Sequence, residues 1–302
     1  MTDLGFDGKV AIITGAGGGL GKQHALLLAS RGARVVVNDV GGSVAGEGSD
    51  RGPAEAAAEE IRRLGGEAVS DNHSVSTPEG GEAIVQTAID AFGQVDIVVN
   101  NAGILRDKAF QNMAPELLDP VLDVHLKGAF YVTRPAWGRM REQGYGRVVN
   151  TSSNAGILGN FGQTNYGPAK AAIVGLTQTL SLELGGIGVT VNAISPGGIT
   201  RLSGTISGAD SVPEPDERTE DEFNPKDPSL ASPVVAWLAS EQAGYVTGQV
   251  IRAIGEDISL MQGWTRKVTV SSGGKRWDAT KLGQVMATDI FGTRAPGLRL
   301  GS

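Results

Sequence analysis

The sequence predicts an α/β fold in which helices cover both faces of a parallel sheet. Through most of the 302 residues, short runs of β-branched residues alternate with longer segments of helical periodicity. The first run, residues 9–14, leads at once into a glycine-rich turn at residues 15–21 and then into an apolar helical pattern. Repeated alternation of strand and helix requires right-handed crossovers, and these build a doubly wound parallel sheet.

The predicted elements follow one another in a single domain. Strands are predicted at residues 9–14, 34–39, 68–75, 95–99, 147–151, 189–194 and 249–254. Helices are predicted at residues 25–29, 53–64, 78–92, 116–143, 166–184 and 234–240. We therefore predict one domain over residues 1–255 and a C-terminal extension over residues 256–302.

Two parts of the chain depart from this alternation. Residues 201–232 contain four prolines and an acidic stretch, and a long irregular segment of this kind is usually functional or disordered. Because the segment leaves the sheet beside the proposed site, we interpret it as a substrate lid. The extension has too many apolar residues for a solvated tail, so we expect it to dock on the domain or on a neighbouring subunit.

Composition excludes several classes of function. The net charge of −7 argues against a nucleic-acid partner. Cysteine is absent, which excludes disulfides and thiol catalysis, and the three histidines lie too far apart in the sequence to indicate a metal site. No apolar run reaches the 18 or so residues of a membrane helix, and the first residues lack the basic segment of a signal peptide. A cytoplasmic protein that binds neither membrane nor metal is expected.

The glycine-rich turn is a candidate site for the pyrophosphate of a dinucleotide. Its backbone N–H groups lie between a strand and a helix, where they and the helix dipole can hold an anion. The spacing of Gly15, Gly19 and Gly21 differs from the common G-x-G-x-x-G pattern, because Leu20 occupies the place of the third glycine. These four residues are predicted cofactor contacts, and a flexible turn without a ligand is the alternative.

The second strand ends in a carboxylate that predicts NAD as the cofactor. Asp39 follows Gly21 by eighteen residues, close to the offset at which an acidic residue meets the adenosine ribose. A carboxylate there accepts hydrogen bonds from both ribose hydroxyls and repels the 2′-phosphate of NADP. The alternative is a polar strand end without a ligand.

A tyrosine and a lysine four residues apart form the candidate catalytic pair. Tyr166 and Lys170 lie on one face of a predicted helix that has Pro168 in its first turn. Because a nearby ammonium favours the phenolate, Lys170 is expected to lower the pKa of Tyr166 and make it a proton acceptor. Ser153 follows the fifth strand, at the edge where open α/β sheets carry their chemistry. The tyrosine–lysine spacing alone occurs by chance in many chains.

Together, these motifs resemble the short-chain dehydrogenase/reductase family. The resemblance covers about residues 5–255 and implies a Rossmann-type domain with a seven-stranded parallel sheet. It implies that Tyr166 is the acid/base, that Lys170 holds the nicotinamide ribose and that Ser153 hydrogen-bonds the reacting oxygen. It also implies cofactor contacts from Asn101, Ala102, Gly103, Pro196 and Gly197, from Ile199 and Thr200 at the nicotinamide carboxamide, and from Ser74 and Val75 at the adenine.

Other strings resemble a narrower group, the (3R)-hydroxyacyl-CoA dehydrogenases of peroxisomal multifunctional enzymes. These strings occupy residues 38–42, 101–107, 124–126 and 159–163. His125 stands where most of the family has an asparagine in a proton relay, and the narrower group has histidine there. We expect its imidazole to become cationic in mildly acid solution and to reduce activity. At His73 the narrower group has aspartate, so an adenine contact from His73 is left open.

The sequence therefore predicts an NAD-dependent oxidation of a secondary alcohol to a ketone. The favoured substrate is a 3-hydroxyacyl-CoA, including one with a bulky or steroid-derived acyl group. The alternatives are a dehydrogenase of a free steroid or other secondary alcohol, and a nucleotide-binding protein without catalysis. Small residues on the helix at 166–184 allow close helix contact, so a homodimer or homotetramer is expected.

Overall fold

The computed structural model describes residues 4–198 and 223–291, and these contain one eight-stranded sheet. The strands are β1 (Val10–Thr14), β2 (Arg34–Asn38), β3 (Glu67–Asp71), β4 (Ile97–Asn100), β5 (Gly146–Thr151), β6 (Val189–Pro196), β7 (Val250–Ile254) and β8 (Asp257–Met261). The helices are α1 (Gly19–Ser30), α2 (Gly52–Arg63), α3 (Pro78–Phe92), α4 (Pro115–Leu122), α5 (Gly128–Gln143), α6 (Asn154–Leu158), α7 (Tyr166–Glu183), α8 (Ser232–Ala239) and α9 (Ala279–Val285). Short 3₁₀ turns lie at Phe110–Asn112, Pro228–Ala231 and Glu241–Ala243.

The sheet has the order β3-β2-β1-β4-β5-β6-β7-β8, and β1 to β7 are parallel. The predicted seven-stranded parallel sheet is therefore confirmed. Ile12 of β1 pairs with Val36 on one side and with Val98 of β4 on the other. The strand order reverses at β1, and open α/β sheets bind ligands in the crevice that such a reversal leaves at the carboxyl ends of the strands.

The eighth strand lies within the residues that were assigned to the extension. Strand β8 pairs with β7 in the antiparallel direction, with Arg252 opposite Ser259. Gly255 has φ +58° and forms the connection together with Glu256, as in a two-residue hairpin. One compact unit ends at Met261 and a second begins at Gln262, so the sheet continues six residues beyond the predicted boundary at 255.

Two apolar layers cover the sheet. On one face Ile13, Val35 and Val37 pack with residues of α1, α2 and α8, including Leu28 of α1. On the other face Ile12, Val36 and Val98 pack with residues of α3 and α5, including Met140 of α5. Neighbouring strand residues point to opposite faces, which explains why the strands read as continuous apolar runs. Each buried aliphatic side chain contributes roughly 1.5–3 kcal/mol.

The single helix predicted at residues 116–143 is interrupted. Helix α4 ends at Leu122, a π-helical turn spans Asp123–Lys127, and α5 continues from Gly128. Single π turns inside helices often lie at functional sites. His125 lies in this turn, and its imidazole is buried.

Several predicted features lie outside the described residues. They are Ile199, Thr200 and the part of the predicted lid from 201 to 222. The rest of that segment is described, and it contains the turn Pro228–Ala231 that leads into α8. Across the described ranges, no helix combines the length and apolarity that a membrane crossing needs.

Candidate active site

The glycine-rich turn has a fixed shape. Gly15 has φ +65°, and a Cβ atom added there would lie 2.7 Å from Ala102 Cα. A Cβ atom at Gly21 would lie 2.3 Å from Gly15 O, so neither position accepts a side chain without displacement of the backbone. Gly19, with φ +53°, begins α1, and the side chain of Leu20 packs partly buried against the core. A contact of Leu20 to the cofactor stays a prediction.

The end of β4 holds this turn in place. Asn101 Nδ2 donates hydrogen bonds to Thr14 O at 3.0 Å and to Gly15 O at 3.1 Å. Thr14 Oγ1 in turn accepts from the backbone N–H groups of Asn101 and Ala102, both at 3.0 Å. The side-chain amide of Asn101 thus bonds to the backbone of the glycine-rich turn. It shapes the cleft, whereas the sequence predicted that Asn101 contacts the cofactor directly.

Asp39 closes the other side of the turn. Its Oδ2 accepts from Gly17 N at 2.9 Å and its Oδ1 accepts from Gly41 N at 2.8 Å. Each carboxylate oxygen can accept a further hydrogen bond, so the group can still receive ribose hydroxyls. Backbone N–H groups in a turn of fixed shape suit the pyrophosphate of an adenine dinucleotide, and the partly buried carboxylate beside them suits its ribose.

The residues predicted at the adenine lie just beyond β3. Ser74 Oγ and Ser76 Oγ are hydrogen-bonded at 2.7 Å, and Val75 is buried. His73 Nδ1 lies 2.8 Å from Asp71 Oδ2, and the His73 side chain is 55% exposed. The contacts of Ser74 and Val75 to adenine stay predictions. Val75 also lines a small cleft with Thr14, Asn100, Ala102, His125 and Lys170.

The three predicted catalytic residues meet at the carboxyl end of β5. A hydrogen bond links Ser153 to Tyr166, and Ser153 Oγ also accepts from Ala155 N at 3.2 Å, which caps α6. Lys170 Nζ lies 5.7 Å from the centre of the Tyr166 ring and donates to Thr151 O at 2.6 Å. The helical spacing of four residues therefore brings the amine and the phenol together, as predicted.

The protonation states differ from those expected. Burial lowers the pKa of Lys170 to about 7. Burial also raises the pKa of Tyr166 above the usual value of a phenol; the hydrogen bond with Ser153 opposes this rise and the charge of Asp107 adds to it. The expected lowering of the pKa of Tyr166 is therefore not found, because burial outweighs any effect of Lys170 in this structure. The physical reason is that desolvation disfavours both charges, the phenolate and the ammonium.

His125 packs against the catalytic tyrosine. Its ring centre lies 5.1 Å from that of Tyr166 in an edge-to-face arrangement of 84°. Nε2 lies 2.8 Å from Ile104 O and 3.1 Å from Ile104 N, so the tautomer decides whether it donates to the carbonyl or accepts from the N–H group. Nδ1 has no partner among the described residues. A Cβ atom on Gly103 would lie 2.5 Å from His125 Cε1, so the imidazole requires glycine at this position.

The imidazole of His125 is neutral in mildly acid solution. Burial holds the pKa of His125 well below its usual value, and the charge of Lys170 lowers it further against a smaller effect of the bond to Ile104. The expected protonation of His125 just below neutrality is therefore wrong. A buried ring beside a cationic amine cannot easily take a second charge.

The far side of the site is formed after β6. Pro196 ends that strand, and Gly197 N donates to Ala253 O at 2.8 Å. A Cβ atom on Gly197 would lie 2.7 Å from Ile254 Cγ1, so β7 packs directly against this glycine. The chain then reaches Ile199 and Thr200, which lie outside the described residues.

One structural residue of the site was not predicted. Asn165 is fully buried and precedes α7 as its N-cap, with its Oδ1 accepting from Tyr166 N at 2.7 Å. Its Nδ2 donates to Arg106 O at 2.7 Å and to Leu117 O at 2.8 Å. An asparagine just before a helix is a common N-cap, and this signal was present in the sequence.

Comparison with known proteins gives consistent matches. A sequence model described as short chain dehydrogenase matches residues 9–207. Peroxisomal multifunctional enzyme type 2 of Mus musculus is 46% identical over 79% of this chain, and the chain spans 30% of that protein. Hydroxyacyl-CoA dehydrogenase ChsB1 of Mycobacterium tuberculosis is 38% identical over 98% of this chain and 92% of its own length. The crystal structure of a short chain dehydrogenase from Mycobacterium avium gives a TM-score of 0.83 at 41% identity and covers 98% of this chain and 99% of that one.

Proposed function

The chain belongs to the short-chain dehydrogenase family, and we propose that it is an NAD-dependent enzyme that oxidises the 3-hydroxyl group of a 3-hydroxyacyl-CoA to a ketone. The observation that carries the proposal is the grouping of Ser153, Tyr166 and the buried Lys170 at the carboxyl end of the sheet. A non-catalytic nucleotide-binding protein has no need of a phenol and an amine with displaced pKa values at one point.

The catalytic residues would divide the reaction between them. Ser153 is placed to hydrogen-bond the oxygen of the reacting alcohol, and Tyr166 takes the hydroxyl proton. Because burial raises the pKa of Tyr166, a positive charge beside the phenol is needed for it to act as a base. Lys170 carries that charge below its pKa of about 7, and it exchanges protons near neutrality.

The glycine-rich turn and Asp39 would hold the cofactor. NAD supplies the acceptor for the hydride that leaves the carbinol carbon. The carboxylate of Asp39 favours a free ribose 2′-hydroxyl over a 2′-phosphate, because two like charges would otherwise be brought together. Gly15, Gly19 and Gly21 admit the pyrophosphate close to the backbone.

His125 is proposed to order a water molecule on the proton path from Lys170. Its Nδ1 has no partner among the described residues, and His125 and Lys170 line the same cleft. A water molecule bonded to both groups would join the amine to the imidazole, as an amide side chain could also do. The imidazole stays neutral while it does so, because its pKa is well below the usual value.

The choice of an acyl-CoA rests on relatives. The mycobacterial relative that matches nearly the whole chain is named as a hydroxyacyl-CoA dehydrogenase. Peroxisomal multifunctional enzyme type 2 matches 79% of this chain, but this chain spans under a third of that protein. Substrates with a bulky or steroid-derived acyl group remain within the proposal.

Assembly and location stay predictions. Ala171 and Gly175 are exposed on α7, and Leu182 near the end of α7 is 84% exposed, which supports contact between copies of the chain in a homodimer or homotetramer. The docking of the extension, the assignment of 201–232 as a lid and a cytoplasmic location are not established.

The test is NADH formation with a panel of alcohols. We expect turnover with 3-hydroxyacyl-CoA thioesters of one configuration at C3, and much slower turnover with free steroid alcohols and simple secondary alcohols. Turnover of a free alcohol at a rate equal to or above that of every thioester would exclude the acyl-CoA assignment and favour the alternative substrate class. No turnover with any alcohol would favour the non-catalytic alternative.

A further inference from the structure

The segment that follows β4, residues 104–108, contacts several separate parts of the site; it is termed the strap. His125 Nε2 lies 2.8 Å from Ile104 O and 3.1 Å from Ile104 N, and this contact joins the strap to the π turn. Leu105 N donates to Val44 O at 3.0 Å, which joins it to the long loop after β2. The strap thus lies between the residues proposed for catalysis and the loop that begins at Asp39.

Arg106 is the centre of the strap. Its Nε donates to Ala45 O in the loop after β2, and its NH1 group donates to Glu116 O in the first turn of α4, both at 2.7 Å. The carbonyl of Arg106 accepts from Asn165 Nδ2, also at 2.7 Å. One residue therefore bonds to the loop, to the helix that leads into the π turn, and to the N-cap of α7.

The loop that Arg106 contacts is closed by its own hydrogen bonds. Ser43 N donates to Glu47 O and Gly46 N donates to Ser43 O, both at 2.9 Å. At its start, Gly41 N donates to Asp39 Oδ1 at 2.8 Å. Because of these bonds, residues 41–47 form a compact unit that is attached to Asp39 at one end and to Arg106 at the other.

The guanidinium of Arg106 donates hydrogen bonds to two backbone carbonyl groups, and it forms no ion pair with the described residues. Within residues 4–198 and 223–291, no carboxylate lies within ion-pair distance of it. A planar guanidinium holds two acceptors at fixed angles, which the single ammonium of lysine cannot do. The arrangement fixes the distance between the loop and α4.

We infer that Arg106 is a positioning residue that couples the adenosine-ribose end of the cofactor site to the first turn of α7, and hence to Tyr166. The inference rests on the proposed NAD-dependent function. A ligand that bonds to Asp39 restrains residues 41–47, and Arg106 transmits the restraint to Asn165 and the next residue, Tyr166. Since coupling between two sites is reciprocal, the substrate site in turn affects affinity at the adenosine end.

Amide hydrogen exchange with ADP-ribose tests the coupling without any catalytic turnover. In the wild type, we expect saturating ADP-ribose to slow exchange at residues 15–21, 41–47 and 165–170. In Arg106→Met, we expect the slowing at 15–21 to persist and the slowing at 165–170 to be lost. The control is Arg139→Met on α5, where the guanidinium pairs only at 3.8 Å with Glu142 and where the wild-type pattern should remain.

Kinetics provide a second readout. Because displacement of a reacting group by about 1 Å can reduce the rate about 100-fold, we expect Arg106→Met to lower kcat by about 10- to 100-fold while KM for the alcohol changes by less than about threefold. Arg106→Lys retains one donor and should recover part of the loss. Thermal unfolding of both variants separates this effect from a loss of folded protein.

The outcomes distinguish the coupling from the function on which it rests. Slowing at 165–170 in Arg106→Met equal to that in the wild type would overturn the coupling and leave the proposed function intact. Equal kcat values for Arg106→Met and the wild type would overturn it as well. If ADP-ribose failed to bind the wild type, both the coupling and the proposed NAD site would be wrong.

Discussion

The two ends of the candidate site are built by different physical means. At the dinucleotide end, Gly15 and Gly21 leave no room for a side chain, and the Asp39 carboxylate accepts hydrogen bonds from two backbone N–H groups. At the catalytic end, Tyr166 and Lys170 are side chains whose pKa values are displaced mainly by burial. The shape of the backbone determines the dinucleotide end, and the protonation of two side chains determines the catalytic end.

This difference implies that binding and reaction can be separated by mutation. Changes in backbone shape should alter cofactor affinity at every pH. Changes in the buried phenol should alter turnover and its pH dependence, with little effect on affinity for the dinucleotide. Loss of the Lys170 amine should reduce both, because this residue is also expected to hold the nicotinamide ribose. The predictions below test this separation, beginning with the largest expected effect.

The replacement Tyr166→Phe should separate the two ends most clearly. The phenyl ring keeps its packing against His125 but cannot transfer a proton, so we expect kcat to fall by about 1,000-fold or more. NAD affinity, measured by titration calorimetry, should change by less than about twofold, because the dinucleotide contacts lie elsewhere. The matched control is Tyr245→Phe, at a tyrosine that is 82% exposed. Substantial residual turnover would require another acid/base.

The carboxylate of Asp39 should determine the choice between NAD and NADP. We expect the wild type to prefer NAD by about 100-fold in kcat/KM, equivalent to about 2.7 kcal/mol, and Asp39→Asn to lose most of that preference. The measurement is kcat/KM for both cofactors, with Asp90→Asn on α3 as the control. Equal use of both cofactors by the wild type would refute the assignment of Asp39.

A methyl group in the glycine-rich turn should reduce the affinity for NAD without changing the pH profile of turnover. In Gly21→Ala the Cβ atom would lie 2.3 Å from Gly15 O, so the turn must open, and we expect NAD affinity to fall about tenfold, or about 1.4 kcal/mol. Gly138→Ala is the control, because a Cβ atom there has no neighbour within 4 Å among the described residues. Equal affinities in the two variants would show that the shape of the turn is not required.

Much of the site could be predicted because parallel topology brings the ends of the strands together. Asp39 and Ser153 follow β2 and β5, and the helical spacing of Tyr166 and Lys170 was sufficient to place one beside the other. The eighth strand was also signalled, since Gly255 lies in a two-residue turn between two short β-forming runs.

Other features depend on contacts between distant residues, which the sequence does not reveal. The raised pKa of Tyr166 and the lowered pKa of His125 result from burial, which helical spacing alone does not predict. Arg106 reaches Ala45, 61 residues away, and nothing near either residue indicates that bond. The π turn at Asp123–Lys127 was not predicted, because the segment was interpreted as one continuous helix over residues 116–143.

A further expected effect is on stability and concerns a third buried group. Burial lowers the pKa of His24 to about 4, and its Nδ1 lies 2.8 Å from Ser232 Oγ. In the unfolded chain the imidazole takes a proton near pH 6.5, whereas in the folded chain it does so only near pH 4. The free energy of unfolding therefore falls as pH decreases through this range, by at most about 3 kcal/mol from His24.

Denaturant unfolding at several pH values measures this contribution. We expect His24→Gln to flatten the decline of stability between pH 6.5 and pH 4, and to leave the pH profile of turnover unchanged. A decline in His24→Gln as steep as that of the wild type would show that His24 does not contribute. Since the group lies away from Tyr166, an altered pH profile of turnover would contradict the separation of the two ends.

Isotope transfer tests the central claim most directly. A 3-hydroxyacyl-CoA that carries deuterium at C3 is incubated with NAD and either the wild type or Tyr166→Phe, and the nicotinamide product is examined by NMR. The account predicts deuterium at C4 of the reduced nicotinamide with the wild type, and almost none with Tyr166→Phe although NAD still binds. No transfer by the wild type from either configuration at C3, or equal transfer by the variant, would contradict it.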